Sequence, residues 1–300
     1  MLKSFFRRVA ASLGLAALLA AAPASAKAPQ SGHPALWEVS DPDTTIYLFG
    51  TIHLLPEHFQ WRTPKFDKAV QSSNQLIVET IVDQKDPGKI MAALSSLAFN
   101  TPNLPPLIER VPPEKRAALA EVIKKTGLPA QAFDRMETWA AAFILLGVQY
   151  RELNLKGDEG VEAVLRNSFA AQGKPVGELE TNIEQFGFFD RLPEKAQEAL
   201  LEGAMDDSKS ADDEFSGMLQ AWAKGDVRNI ARTFDRDLAA SPELAQALIH
   251  QRNTNWTRWI EKRMSEPGTI LIAVGAGHLA GNDSVIAMLQ RDGYRVKRVQ

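Results

Sequence analysis

Two histidines follow the same four-residue pattern at distant points of the chain. Gly-Thr-Ile-His at 50–53 and Gly-Ala-Gly-His at 275–278 each end a run of apolar, β-favouring residues. A glycine that stops such a run predicts a tight turn at the carboxyl end of a buried strand, and ligands bind at that edge in open α/β sheets. Imidazole is the commonest metal ligand and the usual general base near neutral pH. Because the chain has five histidines in all, the repetition predicts a shared site at His53 and His278. The alternative is that each histidine is a structural hydrogen-bonding residue.

Glu79 and Glu180 are the candidate acidic partners. Glu79 interrupts an apolar strand pattern at 75–80 near its carboxyl end, and Glu180 comes just past the strand pattern at 174–179. In a right-handed β-α-β unit, the strand of Glu79 would lie parallel and close to that of His53, so both side chains would emerge at one sheet edge. The alternatives are a surface carboxylate at a fraying strand end for Glu79 and a cap of the following helix for Glu180.

Arg252 is the candidate positive charge. A helix beginning at Ser241 carries an apolar stripe, and Arg252 falls on that stripe between Leu248 and Trp256. A guanidinium on a buried face needs a carboxylate or an anionic ligand. Arg252 therefore predicts either a structural ion pair with one of the two glutamates or a group that stabilises negative charge in a transition state.

These residues support more than one chemistry. Two imidazoles and a carboxylate, here His53, His278 and Glu79, leave an open position for water on a divalent ion. The chain has no cysteine, so nitrogen and oxygen ligands would hold the ion, which favours Zn, Mn, Co or Fe, and we expect Mn, Co or Zn. The same residues also permit a metal-free hydrolase in which His53, oriented by Glu79, activates water directly. A third possibility is a non-enzymatic protein that binds haem or another small ligand through a histidine.

The first residues and the net charge bound the class of protein. Lys3, Arg7 and Arg8 precede an alanine-rich apolar stretch and an Ala-Ser-Ala cleavage signal, so residues 1–26 predict a signal peptide and a periplasmic or secreted protein. An uncleaved anchor is disfavoured because the stretch is shorter than the ~20 residues of a membrane span. Without those three residues, the 34 Lys and Arg fall about six short of the 37 Asp and Glu. Such a chain offers no basic face for nucleic acid.

Strand and helix patterns place the candidate residues in an α/β fold. Residues 36–49 predict a β-hairpin, and a helix and another strand follow each Gly-x-x-His turn, at 64–80 and 283–299. The sequence between them predicts mostly helices around the strand at 174–179. We therefore expect a mostly parallel sheet built from two related ends, with a large helical middle region.

Domain boundaries follow from the same patterns. After the signal peptide, residues 27–35 contain Pro, Gly and Ser and are expected to form a flexible leader. Residues 36–300 are long enough to bury a core as a single domain without disulfides.

The chain resembles the TraB/GumN family. The resemblance is carried by the following segments: Gly-Thr-Ile-His-Leu-Leu-Pro at 50–56, the strand ending in Glu79, Gly-Lys-Pro-Val at 173–176 leading to Leu-Glu-Thr at 179–181, Gln-Arg-Asn at 251–253 and Gly-Ala-Gly-His-Leu at 275–279. One departure is Glu178, at a position where a glycine is expected.

The resemblance implies an α/β fold with parallel strands and helical insertions, and a pocket that carries His53, Glu79 and His278 with Arg252 nearby. That family looks related to the Tiki metalloproteases, to erythromycin-esterase-type hydrolases and to a haem-binding lipoprotein. We therefore expect a metal-dependent hydrolase, most simply a peptidase, that acts on a peptide or a small molecule. His53 and His278 would bind the ion, Glu79 would be a ligand or base, and Arg252 would stabilise the oxyanion, with Glu180 as a further member of the site.

Overall fold

The computed structural model describes residues 31–81, 87–152, 160–205, 208–238 and 242–300. The predicted signal peptide, the first residues of the predicted leader and Ser241 lie outside the described residues.

A six-stranded sheet forms the centre of the fold. Its strands are β1 (Leu36–Ser40), β2 (Thr44–Thr51), β3 (Gln75–Val78), β4 (Val176–Glu178), β5 (Gly268–Gly275) and β6 (Val296–Arg298). Their order across the sheet is β4-β3-β5-β2-β1-β6. The first four strands in this order run parallel, and β1 pairs antiparallel with both β2 and β6. The expected hairpin and the mostly parallel sheet are both confirmed.

β2 and β5 are direct neighbours, which brings the two Gly-x-x-His turns together. Their register sets Thr51 opposite Gly275, so both chains leave the sheet at the same edge. The glycines permit a close approach: a Cβ on Gly50 would lie 3.0 Å from the Cα of Ala276. The strand of Glu79, β3, is parallel to β2 as expected, but it pairs with β5, which lies between them.

Each of these two strands continues through a helix to another parallel strand. After β2 comes α1 (Pro64–Ser72), and after β5 comes α13 (Val285–Arg291). Both helices begin at a hydroxyl side chain, Thr63 or Ser284, that accepts a hydrogen bond from a backbone N–H of the first turn. The two ends of the chain therefore share a strand, turn, helix and strand, as the sequence predicts.

Alternate residues of the central strands pack on opposite faces of the sheet. On one face Phe49, Leu76 and Leu271 join a large apolar cluster. On the other face Leu48 and Ile272 join a second cluster. Helices cover both faces, which explains why these strands are almost continuously apolar in sequence.

The middle of the chain is mostly helical, as predicted. The helices between β3 and β5 are α2 (Pro87–Leu97), α3 (Arg116–Lys125), α4 (Ala130–Asp134), α5 (Thr138–Glu152), α6 (Val161–Ala171), α7 (Asn182–Asp190), α8 (Glu194–Gly203), α9 (Ser208–Ala223), α10 (Val227–Leu238), α11 (Pro242–Ala245) and α12 (Gln251–Met264). A π-helical turn, Gln246–His250, joins the last two. Across the described ranges, none of the helices combines the length and apolarity needed to cross a membrane.

The described part of the leader is hydrogen-bonded to the domain. Gly32 N donates to the carbonyl of Gln60 at 2.8 Å, and His33 N donates to that of Ala223 at 2.6 Å. A Cβ on Gly32 would lie 2.7 Å from the Cα of Ala223. The backbone of the predicted leader thus contacts the rest of the fold at Gly32 and His33, and its flexibility stays a prediction.

Candidate functional site

Arg252 lies at the centre of a buried cluster at the carboxyl edge of the sheet. Its side chain is 2% exposed, and it contacts both candidate glutamates. Nη2 donates to Glu79 Oε2 at 2.7 Å and also to Glu180 Oε1, while Nε donates to Glu180 Oε2 at 3.1 Å. The sequence predicts an ion pair of Arg252 with one of the two glutamates, and the guanidinium pairs with both.

Further contacts fix the two carboxylates. Glu79 comes directly after β3, and its Oε1 accepts a hydrogen bond from Gly275 N, at the end of β5, at 2.6 Å. Gln185 Nε2 donates to Glu180 Oε1 at 3.2 Å and to Glu79 Oε2 at 3.4 Å. Burial raises the pKa of Glu180, and the neighbouring guanidinium partly offsets that effect. Glu178, the departure from the family pattern, instead accepts a hydrogen bond from Ile81 N at 2.6 Å.

Aromatic rings confine the guanidinium. Arg252 Cζ lies 4.7 Å from the ring centroid of Trp256 and 5.8 Å from that of Phe188. Burial alone would lower the pKa of Arg252, but Glu180 and Glu79 raise it above its ordinary value, so the group stays charged. Contacts with the described residues use four of the five guanidinium N–H groups, and the remaining one is on Nη1.

His278 is held through both ring nitrogens. Arg252 Nη1 lies 3.1 Å from Nε2, and Asn253 Oδ1 lies 2.6 Å from Nδ1. The ring also lies against Trp256, with 4.4 Å between the centroids. The pKa of His278 is lowered well below its ordinary value, first by burial and then by the charges of Arg252 and His53. His278 is therefore a neutral imidazole near neutral pH.

His53 has Nδ1 at ion-pair distance from a carboxylate and Nε2 without a partner among the described residues. Nδ1 lies 2.8 Å from Glu162 Oε2, and the hydroxyl of Thr51 donates to the other oxygen of Glu162. Nε2 is buried and makes no hydrogen bond to any described residue. Burial lowers the pKa of His53, but the charge and hydrogen bond of Glu162, together with the charge of Glu79, outweigh it and leave the pKa raised.

Glu162 is the residue that sequence reasoning missed. It stands in the first turn of α6, where an acidic side chain usually faces solvent near the positive end of the helix dipole. Here Val161 N donates to the carbonyl of Ile52 at 3.1 Å, which docks the start of α6 on the first Gly-x-x-His turn and buries Glu162 beneath His53. The only sequence signal was an acid beside buried positions of an amphipathic helix. The orienting carboxylate of His53 is thus Glu162 rather than Glu79.

The candidate residues fall into two adjacent groups. Glu79, Glu180, Arg252 and His278 are in direct contact, whereas His53 interacts with this group through the charges of Glu79 and Arg252 rather than through hydrogen bonds. The remaining histidines are exposed, and they are His33, His58 and His250.

As arranged, the predicted ligands do not fit a shared metal ion. His278 Nε2 and Glu79 Oε1 are 4.0 Å apart, but Arg252 Nη1 lies against the same Nε2 and carries a positive charge. Within the described ranges, no group of three or more His, Asp or Glu side chains is placed to hold an ion. A shared ion therefore requires Arg252 to move, and the metal site stays a prediction.

Comparison with known proteins places the chain in a family. A sequence model of the TraB/PrgY/gumN family matches residues 35–298. The uncharacterized protein YbaP of Escherichia coli (strain K12) is 27% identical over 245 residues, which cover 82% of this chain and 88% of that protein. YbaP of Shigella flexneri is 27% identical over 244 residues, covering 81% and 87%. No solved structure matches significantly. The chain belongs to the TraB/PrgY/gumN family.

Proposed function

We propose that the protein is a hydrolase in which His53 activates a water molecule for attack on the carbonyl of an ester or an amide. The state of the His53 ring carries the proposal. Nδ1 lies 2.8 Å from a carboxylate oxygen of Glu162, and Nε2 is buried with no partner among the described residues. A histidine with one nitrogen on a carboxylate and the other free for a reactant has the arrangement of a general base.

The proton path follows from this geometry. In neutral His53, Nδ1–H donates to Glu162, so Nε2 carries the lone pair that accepts a proton from water. The resulting hydroxide adds to the carbonyl carbon, and the proton on Nε2 then passes to the leaving group. Glu162 stabilises the intervening imidazolium, which agrees with the raised pKa of His53. Thr51 holds the second oxygen of Glu162 and thereby fixes the plane of the carboxylate.

Arg252 is the group that stabilises negative charge in this proposal. The guanidinium that carries the remaining Nη1 N–H is held by Glu79 and Glu180, and its Cζ lies 4.7 Å and 5.8 Å from the centroids of two aromatic rings. A preorganised cationic donor of this kind stabilises an oxyanion without reorganising during the reaction.

A substrate panel with paired variants tests the proposal. Purified protein is assayed with chromogenic esters and with fluorogenic peptides, which are the two substrate classes that the proposed chemistry allows. We expect His53→Ala to abolish turnover and Glu162→Gln to lower it strongly. His33→Gln, at an exposed histidine, is the matched control. Equal turnover by His53→Ala and His33→Gln on every accepted substrate would contradict the proposal.

A metal-dependent peptidase is the second candidate, and formal charge favours it. By formal charge, with both histidines neutral, Glu79 and Glu180 on Arg252 and Glu162 on His53 give three negative charges against one positive charge, and the difference of two matches a divalent ion. Arg252 would have to withdraw from His278 before that ion could bind. Elemental analysis of protein purified without chelator decides between the candidates, because this one requires stoichiometric Mn, Co or Zn and turnover that a chelator removes.

Export to the periplasm or the medium is proposed on the pattern of residues 1–26. The basic start, the apolar stretch and the Ala-Ser-Ala sequence support it.

A further inference from the structure

We infer that His278 is a positioning residue for Arg252 and that Asn253 locks it in the one tautomer able to do this. The two Gly-x-x-His histidines then have different roles: His53 exchanges protons, whereas His278 holds the guanidinium in place. The inference rests on the proposed function for its effect on turnover, but its first test needs no substrate.

The hydrogen-bond donors fix the tautomer. A guanidinium has only donors, so the 3.1 Å contact from Arg252 Nη1 requires a lone pair on His278 Nε2. The ring proton must then lie on Nδ1, which is 2.6 Å from Asn253 Oδ1. This assignment needs the amide of Asn253 to present its oxygen to the ring.

The orientation of that amide is independently determined. Asn253 Nδ2 donates to the backbone carbonyl of Asp283 at 2.7 Å, which leaves only Oδ1 to face His278. Asn253 is fully buried, so a reversed amide would leave two acceptors facing each other without water. The Asp283 carbonyl therefore fixes the orientation of the Asn253 amide, and that amide fixes the tautomer of His278. The imidazole in turn fixes the position of the Arg252 guanidinium.

Consecutive residues of α12 hold the two nitrogens of one ring. Arg252 contacts Nε2 and Asn253 contacts Nδ1, so any rotation of His278 breaks one contact or the other. Glu79 and Glu180 occupy two further directions around the guanidinium. His278 occupies the third direction, so the position of the last Nη1 N–H depends on His278.

The two histidines differ in the side chain that contacts Nδ1. His53 has the carboxylate Glu162 there and a free Nε2, whereas His278 has a neutral amide there and an Nε2 already engaged by a cation. Among the described residues, the same motif thus leaves the Nε2 lone pair unoccupied on one turn and occupied on the other.

Nitrogen NMR tests the assignment directly. Protein labelled with 15N in its five histidines is recorded near neutral pH, and His278 is identified by its disappearance in His278→Gln. We expect the pattern of a neutral ring protonated at Nδ1, unchanged when Zn²⁺ or Mn²⁺ is added. A ring protonated at Nε2 or on both nitrogens, or a His278 signal that shifts with stoichiometric metal, would overturn the inference.

Substitutions separate positioning from proton transfer or ligation. The side-chain oxygen of glutamine can replace Nε2 as an acceptor, but an amide is a poor base and a poor ligand for these ions. We expect His278→Ala to lower kcat about a hundredfold, as a displacement of roughly 1 Å can do, and His278→Gln to recover most of that loss. Equal kcat in the two variants would overturn the inference.

Asn253 provides a second test with a matched control. Asn253→Leu removes the acceptor for Nδ1–H, so the ring is no longer held against Arg252 and the tautomer of His278 should change in the NMR spectrum. Arg258→Ala, at an exposed residue of the same helix, should leave the tautomer unchanged. An Nδ1–H ring in Asn253→Leu would show that Asn253 does not lock the tautomer. If His278 is protonated at Nδ1 but no substrate is turned over, the proposed function fails and the tautomer assignment stands. If turnover depends on His53 but His278 is protonated at Nε2, the tautomer assignment fails and the proposed function stands.

Discussion

Removal of the Arg252 guanidinium is expected to be among the most destabilising single changes in the chain. Arg252→Ala leaves Glu79 and Glu180 buried, at 3% and 7% exposure, without their cationic partner. Breaking a buried ion pair in this way costs about 3–5 kcal/mol. For a chain of this size each kcal/mol shifts Tm by roughly 2–3 °C, so we expect Tm to fall by roughly 6–15 °C. Arg252→Lys should restore little, because an ammonium cannot form the same fork of hydrogen bonds.

The stability that Arg252→Ala loses should increase as pH rises. Burial raises the pKa of Glu180 in the folded state, and without Arg252 nothing offsets that effect, so this pKa lies above about 4.3, the value expected for the unfolded chain. A raised carboxyl pKa contributes stability below the unfolded value and loses it as pH rises through the folded value. The difference in unfolding free energy between wild type and Arg252→Ala should therefore be small at about pH 4 and grow toward neutral pH.

Urea unfolding at a series of pH values measures this difference, and two controls make it specific. Arg258→Ala removes an exposed arginine from the same helix and should change the unfolding free energy by less than about 0.5 kcal/mol. The triple variant Arg252→Met, Glu79→Gln, Glu180→Gln has no unpaired charge and should be more stable than Arg252→Ala. A loss equal to that of Arg258→Ala, or one that does not vary with pH, would refute the reasoning.

Three further predictions concern other parts of the chain. Glu162→Gln should lower the pKa of His53, because Glu162 supplies the main charge that opposes the effect of burial. NMR titration of the His53 ring measures this pKa, and an unchanged value would contradict the pairing of His53 with Glu162. The raised pKa of His53 contributes stability below about 6.5, and this contribution is lost as pH rises through the folded value, so the unfolding free energies of wild type and Glu162→Gln should converge above it. Gly277→Ala should be strongly destabilising because its Cβ would lie 2.6 Å from the Phe234 ring. The control Gly147→Ala, in open space on α5, should be neutral or stabilising. Urea unfolding compares the two variants, and equal effects would contradict the prediction by showing that the turn at Gly277 can relax. The exported protein should begin at Lys27, and an intact mass that includes residues 1–22 would contradict both the signal peptide and the proposed location.

Local patterns were sufficient for the elements that carry the site. Thr63, Pro64 and the apolar spacing after them define α1 over the predicted residues 64–72. Glycines that stop apolar runs located both histidine turns, and the apolar stripe around Arg252 predicted its burial. In each case the determining contacts are formed within one element, so they leave a periodic trace in the sequence.

Contacts between distant elements left no such trace. Glu162 reaches His53 because α6 docks on a turn more than a hundred residues earlier, and Asn253 reaches His278 because α12 crosses the second turn. The insertion of β5 between β2 and β3 likewise depends on pairing between the two ends of the chain. The residues that orient the two histidines therefore became visible only in three dimensions.

Turnover of metal-depleted protein decides whether His53 activates water without a metal ion. Wild type and His53→Ala are stripped of metal with a chelator, their residual Mn, Co and Zn contents are measured, and both are assayed on the best substrate from the panel. We expect metal-free wild type to retain its turnover and His53→Ala to have none. Turnover that disappears on chelation and returns with one added ion, or that survives in His53→Ala, would contradict direct activation of water by His53.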